Sequence, residues 1–251
     1  MTEYTFDEKD IILSRGTSKG YAKKFIVDGY WYKVSAGTFN AQAEVVASRL
    51  ARLTELTDTV EYTLCKVNGE WATRSKDYIM GRKHETIKGL YLKVFGSPIE
   101  TLEDTLRGRE LYDFVCGFAE THFKLDFRET LNRLLRLDAL VLNEDRHFRN
   151  IECIQDADEC WLLSPPFDFD CALYSLVDDL DALDEYVQKA QPFFDTHDEQ
   201  LAFLATVTPQ RLVLPPFDPE ELIRDVWTTE YSMGKAEILA YLNTIKGGAV
   251  I

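Results

Sequence analysis

Hydrophobic and polar residues alternate along the first eighty positions, and helical spacing takes over after them. Tyr21 to Val27 and Tyr30 to Val34 are β-rich runs split by Asp28-Gly29, a dipeptide suited to the positive φ angles of a tight hairpin. Val60 to Val67 and Glu70 to Arg74 repeat the pattern around Asn68-Gly69. Ile11 to Arg15 predicts a first strand after a polar lead, and Tyr78 to Met80 a short later one. Between the hairpins, Asn40 to Leu53 reads as a helix, with Asn40 as its cap and Val46, Leu50 and Leu53 at helical spacing.

Beyond Met80 most segments read as helices. Gly81 to Gly96 is expected as a polar connector carrying Arg82, Lys83, His84, Lys88 and Lys93, or as a basic patch for an acidic substrate segment. Pro98 to Leu106 and Arg109 to Phe123 predict helices. Asp126-Phe127-Arg128-Glu129 has the form of a capping box, opening a helix through Leu142. Ile151 to Ile154 and Cys160 to Leu163 predict a small hairpin. Ser175 to Gln191, Asp198 to Thr206, Pro219 to Thr228 and Met233 to Ile245 read as acidic helices, broken by Pro192 and Pro215-Pro216. The mixture predicts an α+β fold.

Charge narrows the function. The 251 residues carry a formal net charge of -15, so attraction to nucleic-acid phosphates or an anionic membrane cannot drive binding. From Glu152 to Glu230, 19 Asp and Glu face three basic residues, Lys189, Arg211 and Arg224; such a bias is a solvated face or a docking surface for a basic partner. Five cysteines without a CxxC pair read as core thiols in a reducing compartment. The N-terminal residues have neither a basic nor an apolar signal region, and no apolar run approaches the ~20 residues a bilayer demands. A cytoplasmic protein with no membrane or direct nucleic-acid partner is expected. Four histidines lack metal-ligand spacing, so zinc hydrolysis has no support.

The chemistry concentrates between Leu140 and Asp170. Phosphoryl transfer asks a protein for a carboxylate beside the attacking hydroxyl and for oxygen ligands that hold Mg2+ on nucleotide phosphates. Asp145 and Asn150, five residues apart, keep the offset of the catalytic Asp and metal-binding Asn of kinases, and Asp168-Phe169 follows in the expected order. Asp145-Arg146-His147-x-x-Asn150 with Asp168-Phe169 resembles the DRHxxN and DFG elements of phosphatidylinositol kinases and of HipA-like bacterial Ser/Thr kinases, the small CtkA-type proteins among them. The resemblance covers residues 10 to 175.

The resemblance implies a two-lobed atypical protein-kinase-like fold, with a β-rich N-lobe over residues 1–80 and a mainly helical C-lobe over 81–251. It also implies ATP and Mg2+ as cofactors, a protein substrate with a Ser/Thr acceptor, autophosphorylation, and a toxin–antitoxin setting with a separate DNA-binding partner. In that frame Asp145 engages the acceptor hydroxyl, and Asn150 and Asp168 ligate Mg2+. Lys33, on the second strand of the first hairpin, reaches the phosphates or simply faces water. Gly16, Thr17, Ser18 and Lys19 form a phosphate loop or an ordinary turn; glycine permits close approach and the side chains can donate. Glu44 either pairs with Lys33 or is a solvated helix acid. Arg146 and Arg149 steady phosphate charge or face solvent, and His147 makes a structural hydrogen bond or moves a proton. Adenine is expected against Tyr78 to Met80. Ser14, Thr17, Ser18, Ser175 and Thr196 are phosphoacceptors by residue type alone. Asp170 departs from the pattern, replacing the glycine of DFG, and joins the metal site or caps a turn. A kinase of a small molecule or lipid is an alternative, the acidic charge arguing against lipid; a nucleotide-binding module without turnover is another.

Overall fold

A computed structural model describes residues 1–7, 9, 22–35, 39–56, 58–177, 179–180, 183, 186–228 and 231–251. Two hairpins make most of its main sheet. Strands β2 (Lys24–Val27) and β3 (Tyr30–Val34) turn at Asp28 and Gly29, with φ of 51° and 75°; β4 (Tyr62–Val67) and β5 (Glu70–Lys76) turn at Asn68 and Gly69, with φ of 51° and 83°. Both turns are as expected, because Asp, Asn and Gly tolerate the left-handed region. The edge strand β1 (Glu3–Tyr4) lies parallel to β4, giving the order β1-β4-β5-β3-β2. It falls in the stretch read as a polar lead, since two residues are too few to show alternation. The strand expected at residues 11–15 lies outside the described residues.

One face of the sheet buries Phe25, Tyr32, Val34, Cys65, Val67 and Ala72. Against β4 and β5 packs α1 (Asn40–Leu53), whose alanines at 43, 47 and 51 allow close approach. Its bounds match the sequence reading, but Asn40 is not the cap. Phe39 takes that position without a side-chain bond, and Asn40 instead donates from Nδ2 to the Asp170 carbonyl at 2.8 Å.

The remainder is mainly helical. A second sheet, β6-β7-β8, joins β6 (His84–Thr86), β7 (Glu152–Gln155) and β8 (Trp161–Leu163). Residues 78–80 form a turn, not a strand; Met80 has φ 45°, and Arg82 N–H bonds the Ile79 carbonyl at 2.9 Å. The strand lies at β6 and runs directly into α2 (Ile87–Phe95), where a connector was expected. Thr86 caps α2 by accepting from Gly89 N at 3.0 Å, but only Ile87 and Tyr91 are buried, too sparse a stripe to stand out. The expected 98–106 helix shrinks to α3 (Glu100–Glu103), while α4 (Gly108–Phe123) and α5 (Phe127–Leu140) form as predicted. Asp126 caps α5 through Glu129 N at 3.2 Å.

Further on, α6 (His197–Val207) and α8 (Lys235–Ile245) stand near their expected places, and α7 (Pro219–Leu222) is a single turn. The described part of residues 175–191 contains no α-helix. Leu173 and Tyr174, with φ of 49° and 66°, turn the chain away from helical geometry, and Tyr186 and Gln191 anchor it by donating to the Glu144 carboxylate and carbonyl. The short pair β9 (Val213–Leu214) and β10 (Ala249–Val250) was not foreseen. Helices α2, α4, α5 and α6 share one core. A second joins α1 to α7 and α8 through Leu50, Leu222, Val226, Ile238 and Leu242. The whole is α+β, as the sequence implies.

Candidate active site

The loop after α5 is braced from within. Asp138 and Arg146, each with a side chain only 1% exposed, form a two-pronged ion pair: Nε to Oδ2 at 2.9 Å and Nη2 to Oδ1 at 2.8 Å. Asn143 adds a bond to Asp138 at 2.8 Å, and Arg146 Nη1 donates to the carbonyls of Asn150 and Phe167 at 2.9 and 3.0 Å. Burial works against the Arg146 charge, yet the Asp138 carboxylate outweighs it and raises the guanidinium above its usual value. Such a bidentate pair fixes geometry as well as charge. Arg146 therefore neither faces solvent nor reaches a phosphate; it ties the 143–150 loop to the segment carrying Asp168.

Asp145 stands at the loop's edge with its side chain 42% exposed, and His147 Nε2 lies 3.8 Å from its Oδ2. Burial, with the charges of Asp168 and Asp170, raises the Asp145 carboxyl; His147 and Arg149 oppose the shift. The partly buried His147 ring is shifted down by desolvation. Asn150 donates from Nδ2 to the Asp145 carbonyl at 3.2 Å, which leaves its amide oxygen to act as an acceptor.

Across from this loop, β3 presents Lys33 to three carboxylates. Its Nζ lies 3.3 Å from Glu44 Oε1 and 2.9 Å from Asp170 Oδ2, and pairs with Asp168 Oδ1. Burial disfavours the ammonium, but Asp168, Asp170 and Glu44 together hold it well above the ordinary lysine range. Burial resists ionisation of Asp168 too, and there the Lys33 charge prevails, holding that carboxyl well below its usual range. Glu44 is almost fully buried and accepts from Thr73 Oγ1 at 2.6 Å; desolvation pushes its carboxyl up to about 7. Asp168 has φ 62°, a strained angle for a non-glycine residue, and its N–H bonds the Tyr62 hydroxyl at 3.1 Å. Asp170 is fixed through its carbonyl, which accepts from Asn40 and from Ser175 Oγ at 2.6 Å, so its carboxylate joins the lysine cluster rather than capping a turn.

Lys33, Asn150 and Asp168 border a cleft of about 400 Å³, lined also by Tyr78, Ile79 and Arg149. That is ample for a small-molecule ligand. The structure thus brings Lys33, Glu44, Asn150 and Asp168 together, with Asp145 on the same loop as Asn150. Gly16, Thr17, Ser18 and Lys19, and also Ser14, lie outside the described residues. Ser175 is buried against Asp170, and Thr196 caps α6 by accepting from Glu199 N at 3.2 Å. Sequence reading missed Tyr62, Thr73 and Glu152; the last stands two residues beyond Asn150, a signal that spacing alone offered.

Among the described residues no three His, Cys, Asp or Glu side chains form a metal cage. One amide oxygen and one carboxylate suit Mg2+ nonetheless, because it keeps water and substrate phosphate as most of its ligands.

A curved sheet with one packed helix, a cleft, and a helical part carrying the braced loop define a two-lobed, kinase-like architecture. The particular structures it is similar to agree. The proinflammatory kinase CtkA of Helicobacter pylori superposes with a TM-score of 0.65 at 15% identity, over 97% of this chain and 93% of that one. HipA of the Shewanella oneidensis MR-1 toxin–antitoxin system, solved with HipB and operator DNA, gives 0.50 at 11% identity over 95% of this chain and 66% of its own. No family model matches the sequence, and no curated protein does. The likeness is one of fold. Among the described residues no helix is long and apolar enough to cross a membrane.

Proposed function

We propose that the chain is an ATP- and Mg2+-dependent phosphotransferase, a HipA-like Ser/Thr protein kinase able to autophosphorylate. The observation that carries this reading is the meeting of Lys33 with Asp168 and Glu44 at a cleft whose lining also includes Asn150. The proposed lobes are residues 1–80 and 81–251, and the proposed phosphate loop is Gly16, Thr17, Ser18 and Lys19. Bound Mg·ATP would supply the phosphoryl group and the charge that spreads over its transfer. Lys33 would hold phosphate oxygens, with Glu44 limiting its motion; Asn150 and Asp168 would hold the metal. Asp145 would orient the acceptor Ser or Thr hydroxyl and take its proton as the phosphoryl group moves to the hydroxyl oxygen. Its raised carboxyl brings it nearer the pKa that general-base work favours.

A protein acceptor and an antitoxin-type partner rest on the HipA-like fold, and the acidic charge favours routing any DNA contact through such a partner. The Asp145-to-Asn150 motif equally favours a small-molecule acceptor; the phosphatidylinositol-kinase likeness rests on that motif alone.

Radiolabelled ATP with Mg2+, offered to wild type and Asp145→Ala with a cell lysate, tests the reading. Label on the protein or a lysate protein, reduced a hundredfold or more by the variant, is expected. Nucleotide binding by calorimetry without transfer to any acceptor would replace it with a binding module.

A further inference from the structure

A polar cluster that the proposed chemistry leaves unused lines the same cleft. Strands β6 and β7 pair antiparallel, with His84 opposite Ile154 and Thr86 opposite Glu152. Glu152 is 5% exposed, and both its oxygens are engaged: Oε1 lies 2.6 Å from His84 Nδ1, and Oε2 accepts from the Tyr78 hydroxyl at 2.7 Å. With Glu152 accepting, His84 donates from Nδ1 and its ring is held in one orientation. The His84 side chain is nevertheless 47% exposed and borders the cleft. Among the described residues its Nε2 has no bond to the protein.

Position and hydrogen-bond character identify what would meet that nitrogen. Lys33, Asn150 and Asp168 are the phosphate-binding groups of the reading above, and Tyr78 and Ile79 of the expected adenine segment line the same cleft. Glu152 follows Asn150 by two residues and bonds both His84 and Tyr78, so His84 sits beside the segment that links these two sets of lining residues. In a nucleotide the sugar lies between base and phosphates. A hydroxyl both donates and accepts, so it meets Nε2 whichever role that nitrogen takes, whereas an ammonium only donates and a phosphate oxygen only accepts. We propose that His84, oriented by Glu152 and Tyr78, contacts a ribose hydroxyl and makes the cleft select ribonucleotides over deoxyribonucleotides.

This inference rests on the nucleotide reading above, and calorimetry separates the two. Mg2+ complexes of ADP, 2′-deoxy-ADP and 3′-deoxy-ADP would be titrated into wild type, His84→Ala and Glu152→Gln, with melting curves to confirm folding. Wild type is expected to bind ADP about tenfold tighter than at least one deoxy form, the worth of one hydrogen bond. His84→Ala is expected to abolish that preference, weakening ADP about tenfold while leaving the disfavoured deoxy form at its wild-type affinity. Glu152→Gln, which removes the carboxylate that orients the ring, is expected to narrow the preference. Equal weakening of all three ligands by His84→Ala, or no preference in wild type, would overturn the inference and leave the phosphotransfer reading intact. If wild type bound none of the three, both would fall.

Discussion

Lys33 brings one positive charge to Glu44, Asp168 and Asp170, so the three carboxylates cannot all be balanced by it. The most buried of them bears the cost, and Glu44 is raised to about 7 from an unfolded value of 4.5. An acid raised in the folded state binds its proton more tightly there than in the unfolded chain. Its contribution to stability is therefore present below the unfolded value and lost as pH climbs towards 7. Urea titrations across that window should find Glu44→Gln gaining on wild type as pH rises; a constant difference would deny that Glu44 titrates this way. Breaking the Asp138–Arg146 pair is costlier, because it strands a buried guanidinium. Asp138→Ala is expected to lose about 3–5 kcal/mol in denaturant unfolding. At this scale the sequence pointed to Lys33, Asp145, Asn150 and Asp168 by residue type and order, and three of them, Lys33, Asn150 and Asp168, line one cleft. It did not disclose that Arg146 is a brace, since a charged residue in a loop ordinarily faces water and only the fold supplies a buried Asp138 beside it.

Elements with a dense apolar stripe and clear caps were the legible ones. Helices α1, α4 and α5 and both main-sheet hairpins stand where periodicity and turn residues put them. Helix α2 was hidden by its lysines and a two-residue buried face, and the 175–191 segment misled because its apolar spacing serves an irregular anchor. At α6, His197 occupies the first turn, 5% exposed, with neither ring nitrogen bonded among the described residues. Burial lowers its pKa, so the unfolded chain takes up the proton more readily. The stability it allows is present above its unfolded value and lost as pH falls through that range. His197→Gln should consequently lose less stability than wild type between about pH 7.5 and 5.5, measured by urea midpoints. A smaller test concerns Thr86, whose replacement by alanine should cost about 1 kcal/mol and speed amide exchange in the first turn of α2.

For the whole molecule, the organising fact is that α1, which carries Glu44, is covered on one side by β4 and β5 and on another by α7, with α8 packed on α7 in the same core. No local pattern announces such a long-range pairing, so the sequence reading predicted helices in the last third without placing any of them against α1. The contact is tight at the start of α8. Gly234 has φ 73°, and a Cβ there would lie 2.7 Å from the Phe39 ring. Gly234→Ala is expected to cost about 1–3 kcal/mol and to raise hydrogen exchange in α1 more than in α5; protection lost evenly in both helices would refute a local tie.

That packing also orders events at the ribosome. The helix that positions Glu44 gains its second covering, from α7, only after residues near 222 have left the exit tunnel, so residues 40–53 cannot finish packing before then. Domains commonly mature from the N-terminus during synthesis; here the glutamate paired with Lys33 would settle only after a helix far behind it in the chain has emerged.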